Sequence, residues 1–346
     1  MNNVFYFNSI NQIGGVESFF YYLSKLYKNI VVLYEKADPL QVQRLAKNVE
    51  VRKWNGETIK CKNFFCNYGF YIRDYVEAEN YYFIVHCDYK RNKLSSPFIY
   101  EGFHYIGVSK LASNSFTELT GIPCETIYNP IALDIPQVKK KTDKLHLVSA
   151  TRLSGEKGGW RMDKLVEILD KAKVNYDWTI YSNKSKKITI NSPNVILKEP
   201  KLDLSKEMAE ASYVVQLSDH EAFGLSVAES LVLGTPVIIT DIPAFHEIGC
   251  NETNAIFLDL NMTNIDVDKI VNSKWNFKYT PPKSNWGKYL DNNSNYNPKD
   301  LVDVKVLKRK LFLIDEKKET KRDDIVKLTK ERASYLEAKG YVEWLY

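Results

Sequence analysis

The sequence predicts an α/β protein with two successive parallel-sheet domains, a cleft between them, and a small α+β module after them. Three observations carry this. Short apolar runs alternate with stretches of helical period through residues 1–136, as parallel strands joined by crossover helices require. A polar run over 137–144 interrupts the pattern, which then restarts and holds to residue 240. The composition changes again beyond residue 298. At 346 residues the chain exceeds one ordinary core and suits two. The boundaries read from these breaks are 1–136, 137–298 and 299–346.

The elements follow in order. Residues 4–7 read as a short strand, and Gly14-Gly15 marks the turn after it. Val16, Phe19, Phe20, Leu23, Leu26 and Tyr27 fall on one helical face. That stripe is expected to pack on the sheet, with a lipid interface as the other reading of its aromatics and flanking lysines. Strands are expected at 30–34, 81–85 and 104–108. Ser109 is placed to cap a helix that Gly121-Ile122-Pro123 ends. After Asn129-Pro130 and the polar linker come strands at 145–150, 178–181, 194–197, 213–217 and 237–240. Helices at 160–172, 204–211 and 225–233 lie between them. Residues 275–298 are irregular and rich in Asn, Pro and aromatics. Residues 301–314 read as extended hairpin material, and 329–339 as a helix stopped by Gly340.

Composition excludes several classes. Hydrophobic residues are 44% and charged residues 26%, which is globular rather than disordered. Net charge is +5, with 13 basic and 10 acidic residues in 299–346 and only +2 left for the rest. A duplex-DNA reader shows a denser basic face. The five cysteines form no Cys-x-x-Cys pair, so neither a disulfide framework nor a structural zinc site is expected, and a reducing cytoplasm fits. The N-terminal residues lack the charge and apolar run of a signal peptide. No stretch has the length of a membrane span.

Four places hold candidate chemistry. Glu221 stands just before a predicted helix and Glu229 inside it, with Phe223, Gly224 and Leu225 between. Backbone amides at such a helix start can receive a diphosphate. Glu221 can then accept from sugar hydroxyls and Glu229 from a ribose diol. The alternative is a capped helix with two solvated acids. Arg152 and Lys157 lie in a Gly-rich loop after the strand at 145–150. Two cations there can neutralise a leaving diphosphate, or simply form an exposed basic turn. Gly14 and Gly15 sit between a strand and a helix, where a phosphate loop and a plain turn look alike. His86 directly follows the strand at 81–85, a structural position in many chains and here one at the predicted cleft.

Together these residues resemble the retaining family-4 glycosyltransferases of two-Rossmann-domain (GT-B) architecture. Residues 221–240 match the family's E-x7-E segment with its following Gly-Thr-Pro and apolar strand. Arg152-Leu153 with Glu156-Lys157-Gly158 matches its R-L-x-x-E-K-G segment. Gly14-Gly15-Val16-Glu17 matches its N-terminal glycine loop. Val108-Ser109 and Asn129-Pro130 match the end of its first domain, and the resemblance covers roughly residues 1–290. It implies a hexosyltransferase-like enzyme with no cofactor and no metal, using a nucleotide sugar, most often a UDP-sugar, as co-substrate. It assigns Arg152 and Lys157 to the diphosphate, Glu221 to the donor sugar and Glu229 to the ribose. Amides near Phe223, Gly224 and Leu225 are assigned to phosphate, with Gly14 and Gly15 at the same ligand. The His86 backbone carbonyl is placed beside the anomeric carbon.

Residues 61–79 match nothing in the family, and acceptor loops belong there, so the acceptor is open among glycan, protein, lipid and modified nucleic acid. The C-terminal module, with Glu331-Arg332-Ala333 and residues 336–343, resembles a small module of phage and prophage proteins. Its alternative is a helix that merely packs on the enzyme. Two other functions stay in view: a UDP-sugar epimerase on the same fold, and a sugar-nucleotide-binding protein without turnover. An oxidoreductase is disfavoured, because neither glycine loop reads G-x-G-x-x-G with a ribose-binding acid beyond it.

Overall fold

The computed structural model describes residues 1–11, 13–92, 95–182, 190–308 and 310–345. The first sheet is built from β1 (Asn3–Ile10), β2 (Val31–Ala37), β3 (Glu50–Lys53), β4 (Ile59–Cys66), β5 (Val76–Val85), β6 (Phe103–Gly107) and β7 (Cys124–Thr126). Its helices are α1 (Gly15–Leu26), α2 (Pro39–Ala46) and α3 (Lys110–Thr120). The strand order is β3-β2-β1-β4-β5-β6-β7, and β1 to β5 pair in parallel.

Aromatic packing explains why this half closes. α1 buries Phe19, Phe20, Tyr22 and Leu23, and Phe20 meets the edges of Phe5 and Phe7 on β1. The apolar stripe of α1 therefore lies on the sheet, as the helical period requires. Phe5 stacks on Phe65 of β4 at 4.3 Å, and Phe65 on Tyr82 of β5 at 4.7 Å. α2 starts where Asp38 accepts the amides of Leu40 (2.8 Å) and Gln41 (3.3 Å), with Pro39 in its first turn.

The second sheet comprises β8 (Leu145–Ala150), β9 (Tyr176–Tyr181), β10 (Val195–Lys198), β11 (Tyr213–Gln216), β12 (Val237–Thr240) and β13 (Ala255–Leu258). Between them run α4 (Gly159–Lys171), α5 (Ser205–Glu210), α6 (Leu225–Val232) and α7 (Pro243–Glu247), and α8 (Val267–Asn272) follows. All its pairings are parallel, in the order β10-β9-β8-β11-β12-β13. Both sheets are therefore doubly wound. The order reverses between β8 and β11, and ligands bind such sheets at the carboxyl ends of the strands flanking that reversal. The core joins Leu147, Met162, Leu165, Trp178, Val215 and Ile238. Trp178 tolerates full burial because its Nε1 donates to Ser149 Oγ (3.0 Å), which donates to the Val215 carbonyl (2.7 Å).

The C-terminal module holds β14 (Leu301–Val306), β15 (Lys310–Leu313), β16 (Lys318–Lys321), β17 (Ile325–Thr329), α9 (Lys330–Ala338) and β18 (Val342–Trp344). Residues 301–314 read in sequence as extended hairpin material, and they hold β14 and β15, which are not each other's partners. Instead β14 pairs antiparallel with β17 and β18, and β15 pairs with β16. Alternation identifies such strands but not their partners, because several short strands of like period compete.

Two compact units emerge. One contains residues 1–85, 98–106 and 285–346, the other residues 86–97 and 107–284. The C-terminal module thus groups with the first sheet. Trp286 is fully buried against Phe19 and Phe65. α9 lies along β3, the edge strand. Ser334 Oγ donates to the Val51 carbonyl (2.8 Å), and Glu337 Oε2 accepts from the Lys53 amide (2.9 Å). Two side chains of α9 therefore satisfy backbone groups that an edge strand leaves open. Among the described residues, no helix is long and apolar enough to cross a membrane.

Glu337 carries a pH signature. It is 4% exposed, and burial pushes its carboxyl from an ordinary 4.5 up to about 7, against the pull of Arg52 and Lys53. A raised folded pKa gives stability that is complete below about 4.5 and lost as pH rises through about 7. The shift corresponds to roughly 3 kcal/mol at most. Glu337→Gln should therefore unfold in urea like the parent at pH 5 and be more stable than it at pH 8, by about 1–3 kcal/mol. The same stability difference at both pH values would refute this.

Candidate active site

The two loops at the reversal of the second sheet carry Arg152, Lys157, Glu221, Phe223 and Gly224 of the sequence-predicted residues. After β8 the chain enters the turn of residues 151–158, and after β11 the loop of residues 217–224. A close backbone approach locks them together. Gly158 has φ +74°, and a Cβ there would stand 1.8 Å from the Leu217 carbonyl oxygen. Only glycine allows both the left-handed conformation and that approach. The Asp219 amide also donates to the Glu156 carbonyl at 2.8 Å.

Arg161, in the first turn of α4, braces the same loop from beneath. It is 5% exposed. Its Nε donates to the Leu260 carbonyl (2.8 Å), and its Nη1 meets the Leu217 carbonyl (3.1 Å) and Asp219 (2.6 Å). A buried guanidinium is tolerated where its donors are satisfied in this way. Asp219 serves here as the partner of Arg161. Nothing in the local sequence separates Arg161 from an exposed helix arginine.

The locked loops bring Lys157 to Glu221. Lys157 Nζ lies 2.7 Å from Glu221 Oε1, with the two side chains 17% and 16% exposed. The same oxygen accepts from Ser218 Oγ (2.8 Å) and Gln216 Nε2 (3.3 Å). Gln216 also reaches Thr151 and Ser218, and Thr240 Oγ1 donates to the Ser218 carbonyl (2.6 Å). Three donors thus converge on Oε1, a charge-assisted cluster held at the ends of β8, β11 and β12. Sequence reasoning missed Gln216 and Ser218, whose only signal is their position at the end of β11.

The other predicted residues are placed differently. Arg152 is exposed (63% for its side chain) and meets Glu156 at 3.5 Å rather than Glu221. Phe223 and Leu225 are buried, Gly224 is the left-handed N-cap of α6, and Glu229 is half-buried in that helix. His86 follows β5, and the burial of its ring holds the imidazole down to about 3, so it is neutral at physiological pH. Gly14 and Gly15 begin α1 in the other compact unit, and Gly14 has an extended φ of −157° that any residue adopts. No group of three or more metal-ligating side chains occurs among the described residues.

Glu221 also borders a shallow surface crevice shared with His220, Asp88, Arg91 and the start of α7. Nearby, Glu247 accepts the amides of Lys110 (2.5 Å) and Leu111 (3.1 Å) and so closes the N-terminus of α3 alongside its own cap, Ser109.

Comparison with known proteins fits this geometry. Residues 131–272 match the family model described as Glycosyl transferases group 1. These residues span β8 to α8 and include both loops of the site. No curated protein matches the sequence. Among solved structures, a glycosyltransferase from Rickettsia africae ESF-5 is similar with a TM-score of 0.57 at 11% identity, covering 75% of this chain and 84% of that one. Anabaena Alr3699/HepE in complex with UDP-glucose is similar with a TM-score of 0.57 at 14% identity, covering 74% and 85%. The same Anabaena protein with UDP and glucose gives 0.55 at 13% identity, covering 75% and 86%.

Two doubly wound domains of this kind, with a small antiparallel module, make the fold GT-B. Residues 131–272 match the group-1 glycosyl transferase model, about two-fifths of the chain, within a fold that the chain shares with glycosyltransferases.

Proposed function

We propose that the enzyme transfers a sugar from a UDP-sugar to an acceptor hydroxyl with retention of anomeric configuration, without a metal, in the cytoplasm. One observation carries the reading: the Lys157–Glu221 cluster at the reversal of the second sheet, inside the group-1 domain. Lys157 and Arg152 supply positive charge to the departing diphosphate, and the amides at the start of α6 add to it. Glu221 receives hydroxyls of the donor sugar, and Glu229 the ribose diol. The bond from the anomeric carbon to the diphosphate oxygen breaks toward these cations while the acceptor oxygen enters from the same face and passes its proton to the departing diphosphate oxygen. His86, neutral, offers its backbone carbonyl to the positive charge that develops at the anomeric carbon. The structures of Anabaena Alr3699/HepE with UDP-glucose support the choice of donor class.

The test is UDP release by the purified protein against a panel of UDP-sugars in EDTA, with calorimetric binding of UDP alongside. Release with one donor is expected. Silence across the panel together with no binding of UDP would overturn the reading. Within the same assay, Glu229→Ala should weaken UDP binding by about tenfold, the size of a lost hydrogen bond to a charged group. Unchanged UDP affinity would remove Glu229 from the ribose.

A further inference from the structure

Among the described residues, the crossover between β4 and β5 carries no α-helix. Residues 67–75 lie on the sheet face instead. Phe70 packs there among Phe64, Tyr81 and Phe103, and its amide donates to Tyr100 Oη at 2.7 Å. Ile72 is buried as well. Tyr71, held between these two anchors, is 74% exposed, more than any other large apolar or aromatic side chain among the described residues.

The Tyr71 ring nevertheless has a support. A Cβ at Gly69 would stand 2.4 Å from Tyr71 Cζ and 2.5 Å from both its Cε2 and its Oη. Near-equal distances to these three atoms put that carbon over the face of the ring rather than at its rim. The ring is therefore laid on the Gly69 backbone, with its other face turned to solvent. Its hydroxyl end lies near the buried Tyr6 phenol, whose ionisation is suppressed by burial first, by its hydrogen bond to Glu35 next, and then by Cys66 and Tyr71. Tyr6 thus stays a donor and occupies Oε1 of Glu35, which is half-buried near the end of β2. Glu35 Oε2 has no partner among the described residues.

A flat aromatic face accepts the apolar C–H face of a pyranose, and a carboxylate oxygen nearby accepts from its hydroxyls. The backbone on both sides of Tyr71 is already fixed, so little ordering is left to oppose binding. The size of the feature selects the occupant. One ring covers one sugar unit, whereas a stable protein interface needs about 800 Å² on each partner.

We propose that Tyr71, laid on Gly69, and Glu35 form a glycan-binding platform, and that the acceptor of the sugar transfer is a neutral oligosaccharide held there. The inference rests on the sugar-transfer reading above and goes beyond it by naming the acceptor's class.

The test is calorimetry of the full chain with maltohexaose, cellohexaose and hexa-N-acetylchitohexaose, alongside UDP. At least one of the three glycans should bind, and it should gain a sugar, read by mass, on incubation with the panel of UDP-sugars. Tyr71→Ala should bind that glycan about tenfold more weakly, the size of one lost stacking contact, while Tyr71→Phe stays within about twofold of the parent. Gly69→Ala should bind as weakly as Tyr71→Ala although the ring is still present, because the added methyl pushes the ring off its support. Glu35→Gln keeps an oxygen for Tyr6 and should weaken glycan binding by about tenfold through loss of the charged acceptor. Tyr71→Ala and Gly69→Ala alter only an exposed ring and its seat, so both should melt with the parent, and UDP affinity should stay within about twofold in all four variants. Binding of none of the three glycans, unchanged binding in Tyr71→Ala, or equal losses of glycan and UDP would overturn the platform. A bound glycan that gains no sugar while UDP is released would overturn its role as acceptor. Tyr71-dependent glycan binding without any binding of UDP would sink the donor reading and leave the platform standing.

Discussion

Lys157→Ala is expected to lower the turnover of any accepted donor by about 10²-fold or more. The reasoning runs from the site upward. Lys157 Nζ lies 2.7 Å from Glu221 Oε1, and both side chains are more than four-fifths covered. A cation partly removed from water acts on a nearby leaving diphosphate more strongly than a solvated one. Its removal leaves the Glu221 carboxylate still supported by Ser218 and Gln216, so the loop should hold and the melting temperature should move little. Arg152 makes the useful comparison. Its side chain is 63% exposed and its contact with Glu156 is 3.5 Å, so solvent screens it more, and Arg152→Ala should cost less turnover than Lys157→Ala. Steady-state UDP release in both variants checks the order. Rates near the parent in Lys157→Ala would remove that residue from the chemistry.

Gly158→Ala should destabilise the protein by about 3 kcal/mol or more. Two costs coincide: a left-handed backbone at φ +74°, and a methyl 1.8 Å from the Leu217 carbonyl oxygen. A side chain can turn away from such a collision, but a carbonyl in a locked loop can move only by carrying the loop with it. Gly234 separates the two costs. It has the same φ of +74°, with nothing within 4 Å of the added carbon, so Gly234→Ala should cost only about 1 kcal/mol. Urea unfolding of both variants reads the difference. Equal losses would show that the loop yields without strain. A displaced Leu217 also displaces Ser218, so Gly158→Ala should lose activity under conditions where it remains folded.

The second sheet was the most legible part of the chain. The strands read at 145–150 and 237–240 coincide with β8 and β12, and the helix read at 225–233 is α6 to within a residue. Continuous apolar runs bounded by Gly and Pro leave little choice of element there. Between residues 35 and 80 the reading was poorer. α2 announced itself through Asp38-Pro39, a capping signal in a segment whose apolar periodicity is short. β4 begins Ile-Lys-Cys-Lys and ends Phe-Phe-Cys, mixing a half-exposed pattern with a buried one, so no single period describes it.

The candidate site shows the same division. Arg152, Lys157, Glu221 and Glu229 stand out as residue types in their motifs. The contact between Lys157 and Glu221 spans 64 positions and exists because β8 and β11 are neighbours in the sheet. Spacing along the chain carries no trace of it. Arg161 is harder still, since it acts by burial, and burial of a charged residue is a property of its surroundings rather than of its neighbours in sequence.

The seating of α9 on β3 has a consequence for the order of synthesis. The Ser334 hydroxyl that meets the Val51 carbonyl is made 283 residues after it. While the ribosome works through the whole of the second sheet, β3 has no cover, and an uncovered edge invites pairing with other chains. Its sequence, Glu-Val-Arg-Lys, is charged at three of four positions, which is how a nascent strand discourages such partners until its own helix arrives.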